Sequence, residues 1–292
     1  MTTAALTAAI RAKRSFLCVG LDPDPARLPA CLAGEADPVL TFNREIIRAT
    51  EDLCVAYKPN TAFYEAQGAA GWRTLEETAK LLPANCLRIA DAKRGDIGNT
   101  SARYAAAFFD ALPFDAVTVA PYMGRDSVTP FLVDHPGKWA ILLALTSNPG
   151  ADDFQTAALR APEPAELLRA PQPRDDDPPE ALFERVLRTS QTWPHADQLM
   201  YVVGATRAAA LARVRAIVPR AWLLVPGVGA QGGSLADVAR AGLTPDGGLL
   251  VNSSREILYA SAGDDFAAAA RAAAQRVQRE MAALLAPLLP AR

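Results

Sequence analysis

Eight short runs of aliphatic and β-branched residues recur along this 292-residue chain, each followed by a longer stretch of helical character. They are Phe16–Gly20, Leu53–Lys58, Leu87–Ala90, Ala116–Ala120, Ala140–Leu145, Leu199–Gly204, Ala221–Pro226 and Gly248–Asn252. Several are almost wholly apolar, such as Ala-Ile-Leu-Leu-Ala-Leu from Ala140 and Ala-Trp-Leu-Leu-Val from Ala221. A strand without polar alternation is covered on both faces, and strands separated by helices pair in parallel. Eight such units in a chain of this length predict a single α/β domain over residues 1–292, a closed (β/α)8 barrel of the TIM type. In that arrangement the chemistry sits at the carboxyl ends of the strands. Polar residues gather there: Asp22 after the first run, Lys58 in the second, Asp91 and Lys93 at the third, Thr146-Ser147-Asn148 at the fifth, and Ser253-Ser254-Arg255 past the eighth.

Residues from about Gly150 to Gln198 interrupt the pattern with proline and charge, as in Pro171-Gln-Pro-Arg-Asp-Asp-Asp-Pro-Pro-Glu180. Such a stretch opposes burial and predicts an insertion at the barrel mouth or rim between strands five and six, carrying one helix over Pro179–Thr189. A last, alanine-rich helix is expected from about Asp265, packed on the outside of the barrel. Positive and negative charges nearly cancel at net −2, so no global field favours nucleic acid or an acidic membrane surface, and a small-molecule partner is expected. The four cysteines lack CxxC spacing, and Cys18, Cys54 and Cys86 lie in or beside apolar runs, the pattern of reduced core thiols in a cytoplasmic protein. At the N-terminus the basic residues Arg11, Lys13 and Arg14 follow the apolar part, the reverse of a secretory signal. No apolar run reaches the roughly 18 residues that a membrane span needs.

The densest chemistry is Asp91-Ala92-Lys93-Arg94-Gly95-Asp96, which places two carboxylates and an ammonium within six positions. On an extended segment Asp91 and Lys93 share a face, while the turn at Gly95 carries Asp96 away. At ~4 Å and an effective dielectric of ~20 such a pair interacts by roughly 4 kcal/mol, enough to hold both groups charged in a cleft. The competing reading is a surface salt bridge worth ~0–1 kcal/mol. A Mg²⁺ site of carboxylates and phosphate is a further alternative, opposed by the ammonium already seated among the acids. His135 and His195 lie in loops away from the strand ends and read as surface residues, and no HExxH or Cys/His array occurs. Ser127, Ser147, Ser253 and Ser254 have no histidine nearby in sequence and no GxSxG elbow. Flanking carboxylates favour the ammonium over the free amine that a Schiff base needs, so the lysines suit proton donation better than covalent catalysis.

Pro226-Gly227-Val228-Gly229-Ala230-Gln231-Gly232-Gly233 follows the seventh run, and Arg255 follows the eighth. Glycines let backbone amides approach an anion, and the loops after strands seven and eight often form a barrel's phosphate site. Gln231 offers an amide donor and Arg255 a bidentate fork.

From Phe16 to about Tyr259 the chain resembles the orotidine 5′-phosphate decarboxylase family, in its longer bacterial branch. The most specific element is Asp91-Ala-Lys93-Arg-Gly-Asp96-Ile97-Gly-Asn-Thr100. Leu21-Asp22, Tyr57-Lys58-Pro59, Thr146-Ser147-Asn148-Pro149-Gly150, the glycine-rich loop and Ser254-Arg255 follow in the family's order. Asn252-Ser253-Ser254-Arg255 departs from the commoner Gly-Arg pair, which leaves the register of Arg255 open. The resemblance implies a cofactor-free decarboxylation of orotidine 5′-monophosphate, with neither metal nor cofactor. It implies that Lys58, Asp91, Lys93 and Asp96 form an alternating charged network and that Lys93 protonates the pyrimidine C6. It assigns ribose hydroxyls to Asp22, the pyrimidine edge to Ser147, and the phosphate end to Pro226, Gln231 and Arg255. Asp96, Ile97 and Thr100 are implied to enter the neighbouring subunit's site, giving a homodimer with shared active sites. The alternative function is a Mg²⁺-dependent sugar-phosphate lyase on a related phosphate-binding barrel.

Overall fold

The computed structural model describes residues 1–159, 179–229 and 232–288. Eight strands, β1 (Leu17–Leu21), β2 (Ala56–Pro59), β3 (Leu87–Arg94), β4 (Ala116–Val119), β5 (Trp139–Leu145), β6 (Leu199–Val203), β7 (Trp222–Pro226) and β8 (Leu249–Ser253), close into a parallel barrel in sequence order. β1 seals it by pairing with β8 through Leu17↔Val251 and Cys18↔Asn252. Each strand matches one expected run, and β1, β4, β6 and β8 are buried at every position, as double coverage requires.

Two boundaries differ from the sequence reading for physical reasons. β2 begins at Ala56 because Leu53 and Cys54 donate their backbone N–H groups to Thr50 and finish the preceding helix instead. β3 runs to Arg94 because its ladder with β4 resumes beyond the charged residues, with Arg94 paired to Val119. Charge ends an apolar run without ending a strand.

Capping and packing hold the outer layer. Pro38 opens the helix Pro38–Thr50 where no backbone donor is needed, and the Asp37 carboxylate accepts from Leu40 N–H at 2.9 Å. The last helix, Phe266–Leu285, lays Phe266, Ala270, Ala273, Ala274, Met281 and Leu285 against the barrel, and Phe266 stacks on Phe42 with centroids 5.3 Å apart. Its alanines permit close approach to the helix Pro38–Thr50. Among the described residues no helix is long and apolar enough to cross a membrane.

Of the expected insertion, 160–178 lie outside the described residues. The described part docks on the barrel. The helix Leu182–Ser190 packs against β5 and the helix Ala208–Ile217, so it serves as the crossover between β5 and β6. Its buried Glu184 accepts from Ala181 N–H and from the Arg213 guanidinium at 2.7 and 2.9 Å. Among the cysteines, Cys18, Cys54 and Cys86 are buried, and Cys31 is exposed. His195 is exposed, but His135 is not a surface residue: its side chain is 11% exposed and lies against the Phe109 ring, centroids 5.2 Å apart.

Candidate active site

At the carboxyl end of the barrel, β2 and β3 bring a buried lysine and a buried carboxylate into contact. Lys58 Nζ donates to Asp91 Oδ2 at 2.7 Å and lies 3.9 Å from Asp22 Oδ1, just past β1. Lys93 Nζ donates to Asp91 Oδ1 at 2.6 Å. The four groups form a chain of alternating sign, Asp22–Lys58–Asp91–Lys93. Burial alone would raise the Asp91 carboxyl, but the ammonium groups of Lys58 and Lys93 outweigh it and hold it far below the usual carboxylate range. Burial alone would lower Lys58, yet Asp22 and Asp91 leave it well above the ordinary lysine range. The buried charges of Lys58 and Asp91 are thus retained against their burial.

Asp91 and Lys93 meet as their spacing predicts, but not through a regular pleat. Lys93 has φ 48°, in the left-handed region, and β3 bulges there. The bulge returns the lysine side chain onto Asp91 while leaving it 49% exposed to the barrel mouth. A non-glycine residue in that conformation costs on the order of 1–3 kcal/mol and persists only where its surroundings fix it. Arg94 supplies one such anchor: its guanidinium pairs with Glu65, donates to Ala92 O at 2.9 Å and faces the Tyr104 and Phe108 rings.

A cavity of about 430 Å³ opens beside the chain, lined by Asp22, Lys58 and Asp91 at one end and by Pro226, Gly227, Val228 and Arg255 at the other. Arg255 is exposed at the start of the short helix Arg255–Leu258. Gly227, Gly229 and Gly232 all have positive φ, which explains the glycines of this loop. A Cβ on Gly229 would come within 2.4 Å of the Glu256 carboxylate. The loop is already partly self-satisfied: Gly229 N–H donates to Gly233 O, Gly232 N–H to Gly229 O, and Gly233 N–H to Gly227 O. Those three amides are therefore committed to the turn. Gln231 lies outside the described residues.

The structure separates some of the predicted set. Asp96 does not join the charged chain; its Oδ1 accepts from Ile97 N–H at 2.7 Å, and the cavity wall excludes it. Ile97 is 59% exposed, and Thr100 is exposed one turn further on. Ser147 sits at the end of β5 against Gly204, where an added Cβ would meet Ser147 Cβ at 2.8 Å, and it does not line the cavity.

Sequence reasoning named Asp22 but missed Asn252, Tyr259 and Thr118. Asn252 and Asp22 each have one buried oxygen, Oδ1, without a hydrogen-bond partner, and both residues line the cavity. Two buried oxygens in one cavity thus retain capacity to accept a hydrogen bond. The Tyr259 hydroxyl accepts from Asp24 N–H at 2.7 Å, and Arg27 lies 3.7 Å over its ring, so this tyrosine fixes the loop after β1. Thr118 on β4 donates to Asp91 Oδ1 at 3.0 Å. Nothing in Ala-Val-Thr-Val distinguishes that threonine from an ordinary strand former.

Fold and site together define a barrel enzyme with a lysine–carboxylate chain at the mouth and a glycine-rich loop across it. Residues 15–273 match the family described as orotidine 5′-phosphate decarboxylase / HUMPS, and the chain belongs to that family. A Bacteroides fragilis relative named orotidine 5′-phosphate decarboxylase is 52% identical over 283 residues, 96% of this chain and 97% of its own. A Flavobacterium johnsoniae relative of the same name is 53% identical over 288 residues, covering 98% of both chains. The solved structure of Leishmania donovani OMP decarboxylase superposes with a TM-score of 0.78 at 38% identity, over 97% of this chain and 98% of that one.

Proposed function

We propose that this protein converts orotidine 5′-monophosphate to UMP and CO₂, the closing step of UMP synthesis, without a cofactor. The observation that carries this reading is the unbroken Asp22–Lys58–Asp91–Lys93 chain, which ends in a half-exposed ammonium at the barrel mouth. The bond from C6 to the carboxylate breaks, its electron pair stays on C6, and one Nζ proton of Lys93 forms the new C6–H bond. The amine then recovers a proton from solvent. Enzymes lower barriers by about 8–23 kcal/mol, and a carbanion without an electron sink demands the upper part of that range. A fixed positive charge beside C6 meets the developing negative charge without reorganisation. Asp91, held ionised by Lys58, aims the Lys93 side chain through its hydrogen bond to Oδ1.

Substrate roles follow the family resemblance, and of these residues Asp22, Pro226 and Arg255 line the cavity. Asp22 Oδ1, which faces Lys58 at 3.9 Å but accepts no hydrogen bond, suits a ribose hydroxyl. Pro226, Gln231 and Arg255 take the phosphate end, whose binding energy is spent on alignment at the distant C6. Ser147 takes the pyrimidine edge. Asp96, Ile97 and Thr100, turned away from their own chain's cavity, complete the site of a second subunit in a homodimer. That assignment is supported by the exposed Ile97 and by the position of Asp96 outside its own chain's cavity lining.

Loss of orotidine 5′-monophosphate absorbance, followed with EDTA present, tests the reading. Turnover to UMP that survives chelation is expected. Absence of turnover, or turnover that requires added Mg²⁺, would overturn it in favour of a metal-dependent sugar-phosphate lyase.

A further inference from the structure

We propose that Thr118 is a positioning residue for this reaction, its single hydroxyl fixing both the backbone and the side-chain direction of Lys93. The inference rests on the reading of Lys93 as the acid. Between β3 and β4 the register passes from Ala90↔Val117 to Arg94↔Val119, so Asp91, Ala92 and Lys93 all stand opposite Thr118 alone. A bulge of that kind removes acceptors from the ladder, and the N–H of the residue at its apex needs another partner. Lys93 N–H finds it in Thr118 Oγ1 at 2.9 Å.

The hydroxyl carries one hydrogen. Because it accepts from Lys93 N–H, that hydrogen is free for Asp91 Oδ1, 3.0 Å away, the same oxygen that receives Lys93 Nζ at 2.6 Å. The result is a closed ring: Lys93 N–H to Thr118 Oγ1, Thr118 O–H to Asp91 Oδ1, Lys93 Nζ–H to Asp91 Oδ1. Both ends of the lysine are thereby tied into one hydrogen-bonded unit through the buried Thr118, which is 1% exposed. A lysine side chain has four rotatable bonds and ordinarily scatters. Here a left-handed backbone at φ 48° and an oriented carboxylate narrow it to one direction, and the threonine hydroxyl couples the two constraints. Valine reproduces the shape of Thr118 and removes the hydroxyl; serine keeps the hydroxyl and removes only the methyl.

The test compares Thr118→Val with Thr118→Ser and Lys93→Ala by steady-state kinetics with orotidine 5′-monophosphate. Misplacement of a reacting group by about 1 Å costs on the order of 100-fold, so Thr118→Val is expected to lose about 100-fold in kcat with KM almost unchanged, while Thr118→Ser recovers most of the rate. Wild-type kcat in Thr118→Val overturns the inference. So does an equal loss in both Thr118 variants, or a change confined to KM, since either reports packing or binding instead of aim. Should Thr118→Val not fold, Thr118→Ala measured against Thr118→Ser makes the same comparison. Lys93→Ala separates the two levels: full activity in that variant would sink the underlying reading, whereas an inactive Lys93→Ala beside a fully active Thr118→Val would sink this inference alone.

Discussion

Replacing Lys93 by alanine is expected to lower kcat/KM for orotidine 5′-monophosphate by at least about 10⁴-fold while nucleotide binding survives in part. Two effects end together: the positive charge that meets the electron pair left on C6, and the proton that quenches it. Binding is spared in part because the cavity lined by Asp22, Lys58, Pro226 and Arg255 does not include this side chain. Lys93 is also half exposed, so its loss removes less packing than loss of the buried Lys58 would. Steady-state kinetics with isothermal titration of UMP measures both quantities. Near-normal turnover in Lys93→Ala would remove the lysine from the chemistry, whatever the cavity binds.

The second large effect concerns two subunits. Asp96→Asn and Lys93→Ala proteins should each be nearly inactive as homodimers, yet regain activity when co-refolded. A mixed dimer holds one site that takes Lys93 from the Asp96→Asn chain and Asp96 from the Lys93→Ala chain, and that site is wild type in both positions. Random pairing makes half the dimers mixed, with one competent site in two, so recovery should approach about a quarter of wild-type activity. The expectation grows from the placement of Asp96: in its own chain the carboxylate meets Ile97 N–H and stays clear of the Lys58–Asp91–Lys93 cluster. No recovery in mixed dimers verified by differential tagging would place Asp96 outside the partner's site.

Much of this was legible in the sequence because burial on both faces erases polarity from barrel strands. Runs such as Ala140–Leu145 and Ala221–Pro226 could hardly be anything else, and β5 and β7 follow them to within one residue. The same logic misjudged β3, since charge at Asp91 and Lys93 ended the apolar run although the ladder resumes at Arg94. The Asp91–Lys93 contact was foreseen from strand periodicity, but its cause is a bulge and a left-handed lysine, which no residue type announces. Thr118 was invisible for the converse reason. β-Branching alone justifies a threonine in a strand, and only the register of β3 against β4 reveals what its hydroxyl faces. Positive φ at Gly227, Gly229 and Gly232 was implied by residue identity, whereas the self-bonding of that loop depends on a path through space that composition does not encode. His135 reads as a loop residue until Phe109, 26 positions earlier, is folded against it.

Proton transfer from Lys93 to C6 is most directly read in reverse, because an acid that delivers a proton to carbon also removes it. UMP incubated with the wild-type protein in D₂O should lose its C6–H proton resonance as deuterium enters, while the same concentration of Lys93→Ala leaves the resonance intact over the same interval. Exchange as fast in Lys93→Ala as in wild type would show that another group, or solvent itself, serves C6.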